Sequence, residues 1–338
     1  MQILVYIAKR LLLLVPTLLG VSIVCFSLVR VLPGNPVYMI LGPYATQEEI
    51  ARAKTELGFD RPIPEQYLIY LKGILRGDLG YAWHTSQPVA QDIVKRFPLT
   101  FELSTISLIF TLVVAIPLGV ASAVRRGSWV DNVGRVAAVM GVSMPLFCAG
   151  LLLSYVFFFS LRWAPPPMGV VDPLIEMPRR ITGMILTDSL LTGHWAAFKS
   201  AVVHLILPAV TLALPMIGSI TRMTRSSMLE VLHADYVRAA MAFGLPRRTV
   251  IFRDALQNAL LPVVTMIGVF YGFALGGTVL VEMIFSLPGM GRYSFGSIMN
   301  MDYAGVQGVV LVVALIFVIV NLLIDIAYAI IDPRIFYR

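Results

Sequence analysis

Six stretches of this chain run without an acidic or basic residue other than one histidine: Leu11 to Val29, Leu103 to Val124, Val136 to Leu161, Ala201 to Thr221, Ala255 to Val281 and Tyr303 to Ile324. Nothing else constrains the fold as much. A run of roughly 18 or more apolar residues is long enough to cross the hydrocarbon core of a bilayer as a helix. In lipid every backbone N–H and C=O must be satisfied internally, which excludes open sheets. The expected fold is therefore all-α, a polytopic membrane protein with six transmembrane helices. The low share of charged residues, 13%, agrees with this, since soluble domains carry about 25%.

The net charge of +7 does not imply nucleic acid, because the basic residues are scattered between apolar runs instead of forming one polar module. Their placement bears on topology. Lys9, Arg10, Arg125, Arg126, Arg135, the arginines from Arg222 to Arg253, Arg334 and Arg338 fall on one side of the six runs, most of them in short loops. Short-loop bias puts that side, with both termini, in the cytoplasm. The first run is longer than a signal-peptide core and is read as a retained helix. Cys25 and Cys148 lie inside apolar runs and give neither a disulfide framework nor a metal site.

The chain then divides into residues 1–31 with the first span, a polar external subdomain over 32–98, and a five-span domain over 99–338. The last of these includes a cytoplasmic loop over 222–256. In the external part, Thr46 and Glu49 fit a capping box, and Gly58 would close that helix. Pro64 would open a second helix with Tyr67, Leu68, Leu71, Ile74 and Leu75 on its apolar face. Pro88 would open a third, ending at Arg96. Such a subdomain serves either as a lid on its own membrane domain or as a contact for an external partner. Arg179 and Arg180, in a second external segment, suit solvent, lipid headgroups or an anionic ligand.

Within the spans the ionisable side chains are His204 and, near the end of the last, Asp325. That is not the relay of buried charges expected of a proton-coupled transporter. Nor is there a phosphate-binding loop of the G-x-x-x-x-G-K-[ST] type, so active transport would draw its energy from another subunit. Four dispersed histidines with no nucleophile or metal-ligand spacing argue against an enzyme. Ser143, His204, Asn258 and Asn321 are candidates for lining a translocation path, and hydrogen bonding between helices explains them equally well. Pro117, Pro145, Pro208, Pro215 and Pro262 mark kinks that serve either packing or motion.

The stretch DYVRAAMAFGLPRRTVIFRDALQNALLP, residues 235–262, carries the clearest signal. From Ser226 to Phe243 a helical stripe of Leu232, Tyr236, Ala239, Ala240 and Phe243 is expected, its small alanines suited to lying close against another surface. Gly244 would supply the left-handed conformation that ends a helix. Pro246 would start a second helix running into the fifth span. A partner that moved the short helix would thus move the span.

RAAMAFG followed by ALQNALLP resembles the loop of binding-protein-dependent ABC importer permeases, whose short helix docks in a groove of the ATPase subunit. Arg238 replaces the usual Glu, and Leu261-Pro262 falls later than in the general pattern. Both features resemble the peptide and nickel branch. So do VLPGNP at 31–36, ELGFDRPIPEQY at 56–67, GDLG at 77–80, QPVAQDI at 87–93, PLGVASAVRRGSWVD at 117–131, LPGMGR at 287–292 and DPRI at 332–335.

The resemblance implies the type I importer permease fold in the bacterial inner membrane. It also implies a second homologous permease subunit, two cytoplasmic ABC ATPases that bind ATP and Mg, and a periplasmic substrate-binding protein, with membrane lipid around the spans. This chain would hold no cofactor and no metal. It assigns ATPase coupling to Leu232, Tyr236, Arg238, Ala239, Ala240, Phe243 and Gly244. Short peptides, dipeptides above all, are the expected substrate. Nickel or a nickel chelate, or a channel or scaffold without ATPase, are the alternatives.

Overall fold

A proline sits inside most of the long helices of this protein without ending them. The computed structural model describes residues 2–31, 46–48, 52, 55 and 60–331. In chain order these form α1 (Gln2–Val31), α2 (Ile63–Leu75), a two-stranded hairpin of β1 (Tyr81–Ala82) and β2 (Gln87–Pro88), then α3 (Val89–Val124) and α4 (Trp129–Ser143). Next come α5 (Leu146–Ser154) with a π-helical extension over Tyr155–Ser160, α6 (Ile185–Leu191), α7 (Trp195–Leu232) and α8 (Asp235–Ala242). The last group is α9 (Arg247–Thr249), a π-helical turn Val250–Ala255, α10 (Leu256–Gly277), α11 (Val279–Ile284), α12 (Met290–Met299) and α13 (Tyr303–Ile331).

The all-α expectation holds, with one short hairpin added. Among the described residues, four helical runs are long and apolar enough to cross a membrane: Val89–Val124, Trp195–Leu232, Arg247–Gly276 and Tyr303–Ile326. Among the described residues, α4 and α5 with its extension make a fifth crossing when counted as one span, bent by 105°. In α1 the described apolar stretch is Leu12–Ser27. The single straight span expected over Val136–Leu161 is therefore broken. The cause is local: Met144 precedes proline and is extended (ψ 122°), while Pro145 starts α5 without an N–H to give back.

The third external helix does not stop at Arg96. It opens after Pro88 as expected and continues through Pro98 and Pro117 to Val124, so the division at residue 98 falls inside α3. At 1.5 Å per residue α3 and α7 are each about 55 Å long, well beyond the roughly 30 Å hydrocarbon core. Pro98 leaves the carbonyl of Val94 without its helical donor. The Arg180 guanidinium fills the gap, donating through Nη2 to Val94 O at 3.0 Å and to Lys95 O at 3.3 Å. Arg180 is thus a clamp on the proline turn of α3.

The expected helix at Pro64 begins at Ile63. Its Tyr67 rests on α1, 2.8 Å from the Ser22 hydroxyl and edge-on to Phe26, so α2 lies on the membrane domain. Leu68 and Leu75 depart from the expected apolar face and are exposed. The capping box at Thr46 and Glu49 and the stop at Gly58 lie outside the described residues.

α3 and α7 run side by side in the same direction. Leu99 and Leu103 meet Ala201 and Leu205 near their starts, and Val120 and Ala123 meet Met228 near their ends. On α10, a Cβ at Gly268 or Gly272 would collide with Ile324 or Phe317 of α13. Those glycines serve close helix packing.

Candidate functional site

The helix stripe expected to run unbroken from Ser226 to Phe243 is interrupted. α7 ends at Leu232, where His233 caps it with its ring Nδ1 2.6 Å from Leu229 O, and α8 starts afresh after the extended Ala234. Asp235 in the first turn of α8 suits the positive end of the helix dipole. No glycine or proline marks this break, which is why the sequence reads as continuous.

The break changes the phase of the side chains. Val237, absent from the expected stripe, is fully buried among Val120, Ala123, Met228, Val250, Ile251, Ala255 and Ala259. Ala240 and Leu232 pack against the same cluster from partly buried positions. Burying a valine contributes about 1.5–3 kcal/mol, enough to seat a helix of two turns. Tyr236, Ala239 and Phe243, at i, i+3 and i+7, point the other way and are exposed, Phe243 to 86%. The exposed Arg238 pairs with Asp235 at 2.6 Å on the surface, a contact worth little. So α8 has an anchored face and a bare face: of the seven expected residues, Ala240 joins the first, Tyr236 and Ala239 with Phe243 just past the helix end form the second, and Leu232 belongs to α7.

The end of α8 is a Schellman motif. Gly244 adopts φ +82°, its N–H bonds to Met241 O at 3.0 Å, and the N–H of Leu245 reaches Ala240 O at 3.3 Å. Only glycine takes this conformation without strain. Pro246 then caps α9, which runs through the π-helical turn into α10, so the chain from Arg247 to Gly276 is one helical arm. Asn258 braces the joint: its Nδ2 donates to Tyr236 Oη at 3.0 Å and to Asp254 O at 2.9 Å.

The four path candidates lie on four different helices, α4, α7, α10 and α13. Asn258 is exposed beside α8, and Ser143 is exposed at the bend between α4 and α5. The His204 ring lies 2.8 Å from Ser200 O, and Asn321 Nδ2 donates to Phe317 O at 2.9 Å, each within its own helix.

Two acids missed by counting spans lie one residue outside the counted runs. Glu102, which precedes Leu103, is buried and accepts the N–H groups of Ile185, Leu186 and Thr187 at 2.8–3.3 Å, capping α6. Glu282, which follows Val281, is fully buried. It accepts the Thr100 hydroxyl at 2.7 Å and the Arg292 N–H at 2.8 Å, and Thr100 in turn accepts the Met290 N–H. This explains LPGMGR: a Cβ at Gly289 would lie 2.3 Å from the Glu282 carboxylate, and one at Gly291 2.6 Å from the Val279 backbone. Asp188 likewise gathers the N–H groups of Ile181, Thr182 and Gly183 and the Thr182 hydroxyl. Burial works against its charge, but these donors outweigh it and hold the carboxyl below the ordinary carboxylate range.

Comparison with known proteins agrees with this architecture. Residues 115–337 match the family described as binding-protein-dependent transport system inner membrane component, and residues 3–104 match the N-terminal part of such membrane components. The chain is 41% identical over 336 residues to the dipeptide transport system permease protein DppB of Alkalihalophilus pseudofirmus, spanning 99% of this chain and 100% of that protein. It is 42% identical to the protein of the same name in Escherichia coli, over 98% and 99% of the two chains. It is 38% identical to the glutathione transport system permease protein GsiC of Salmonella typhi, over 98% and 99%.

Proposed function

This chain belongs to the family of inner membrane components of binding-protein-dependent transport systems, and on that premise we propose that it is a permease subunit of an ATP-driven importer of short peptides. Its partners are a second homologous permease, two ABC ATPases that carry ATP and Mg, and a substrate-binding protein on the outer face. The α8 end and both termini face the cytoplasm, as the short basic loops favour. The chain itself contributes half of the translocation path and no hydrolytic site.

The observation that supports this most is the bare face of α8. A helix of eight residues with Phe243 86% exposed is not completed by its own domain. Large exposed apolar side chains at a seated, rigid position mark a surface meant for a partner. In this reading the ATPase groove covers Tyr236, Ala239 and Phe243, and its closure pushes the arm from Arg247 to Gly276. Glutathione and dipeptides in the names of the relatives favour short peptides over nickel.

Uptake by cells lacking and regaining this gene tests the substrate. The expected result is restored uptake of labelled di- or tripeptide with nickel uptake unchanged. Restored nickel uptake alone would overturn it.

A further inference from the structure

The bare helix α8 has two neighbours in the chain. One is the arm into α10. The other is α7, reached through only His233 and Ala234, so a push on α8 also loads the end of α7. What α7 is fastened to then decides where that push goes.

At this end α7 is fastened both to α3, where a Cβ on Gly119 would lie 2.9 Å from Thr221 O, and to α4. Arg225 donates through Nε to Asp131 Oδ1 at 2.6 Å and through Nη2 to Oδ2 at 2.9 Å, a two-point fork that fixes orientation as well as distance. Asp131 is 1% exposed, and its carboxylate also accepts the Gly127 N–H at 3.0 Å, so it ties the start of α4 to its preceding turn. Arg135 stands 4.0 Å away as a weaker second cation. Further along, the two helices touch backbone to backbone. A Cβ on Gly218 would lie 2.4 Å from Ala138 O, and one on Gly141 2.6 Å from Leu214 O. Bare backbones in contact leave no side chain between them to yield.

We propose that Asp131 and Arg225 are positioning residues that make α4 travel with α7, giving α8 a second arm into the membrane beside α10. The proposal rests on the reading of α8 as the ATPase-contacting helix. A displacement delivered at the Asp131 end passes along α4 to the 105° bend at Met144 and Pro145 and so to α5. One push therefore moves two elements that are far apart in sequence. The ion pair is the fastening at the end where the push arrives, and the glycine contacts are the fastening further in.

The test uses the complete transporter in proteoliposomes. Asp131→Asn keeps an oxygen for the Gly127 N–H and nearly the same shape, and Arg225→Gln removes the other partner. Each is expected to keep ATP hydrolysis but to lower peptide uptake per ATP by about tenfold, within the range of coupling between distant sites. Position is read separately, with spin labels at the exposed Val133 and Arg222 after Cys148→Ser. In the otherwise native chain their separation is expected to stay constant between nucleotide-free and ATP-trapped states, and in Asp131→Asn to change. Unchanged uptake per ATP in both variants, with Phe243→Ala uncoupled, would overturn the second arm and leave the α8 reading intact. If Phe243→Ala itself changes nothing, the α8 reading fails. The label separation then decides alone whether α4 and α7 move as one, and a separation that changes in the native chain overturns the proposal.

Discussion

The two ends of this protein are held together by opposite means. At the end where α6 and α12 lie, buried carboxylates organise the chain: Glu102 caps α6, Glu282 ties the start of α12 to α3, and Asp188 holds the loop before α6. Each carboxyl group there is met by donors from its own chain. At the other end α8 is seated by an apolar cluster around Val237 and leaves Phe243 outside. The first end is tied together by these hydrogen bonds, so altering its carboxylates should cost stability. The second carries a surplus that only a partner can use, so altering it should cost function.

That contrast can be broken from the first end downward. Glu282→Ala leaves the Thr100 hydroxyl and the Arg292 N–H without their acceptor and should destabilise the protein by about 3 kcal/mol. Thermal unfolding of purified protein measures it, and a loss no larger than that from Phe243→Ala would erase the distinction. Glu102→Ala exposes three helix-start donors and should cost about 2 kcal/mol. Hydrogen exchange should quicken first at Ile185 to Thr187, and uniform quickening would contradict the capping role.

A double-mutant cycle sharpens the picture further. Arg180→Ala alone should cost about 1 kcal/mol, but much less after Pro98→Ala, which returns an N–H to Val94 O. Equal costs in both backgrounds would show that Arg180 does not stand in for the missing donor. The smallest effect is one of pH. Because the folded state holds the Asp188 carboxyl low, its contribution is present above the ordinary carboxylate range and is lost as pH falls below it. Asp188→Asn should therefore flatten the acid side of the stability profile, and an unchanged acid side would contradict the assignment.

Much of the coupling region was legible in the sequence because its signals are local. Gly244 and Pro246 announce a helix stop and a restart, and the structure places both where the spacing requires. The division of α8 into two faces was not legible. The break at His233 and Ala234 uses neither glycine nor proline, so the sequence puts Leu232 on one stripe with Tyr236 and gives no sign of the buried Val237. The buried acids escaped for a different reason. A glutamate ends an uncharged run by definition, so Glu102 and Glu282 fell just outside the spans, and only the folded chain brings them to the helix starts they satisfy. The bend at Pro145 was visible as a breaker, but its angle depends on α7 and α11 packed around it. Polar residues inside apolar runs proved ambiguous, since His204 and Asn321 bond within their own helices.

The central claim is that the outer face of α8 exists for a motor on another chain. Peptide uptake per ATP hydrolysed, measured for the reconstituted transporter carrying Phe243→Ala or Gly244→Asp, tests it most directly. Phe243→Ala removes an 86% exposed side chain and should shift stability by less than about 0.5 kcal/mol. The predicted result is a normally inserted protein whose ATP hydrolysis no longer drives uptake. Uptake per ATP equal to that of the unaltered transporter in both variants would contradict the account.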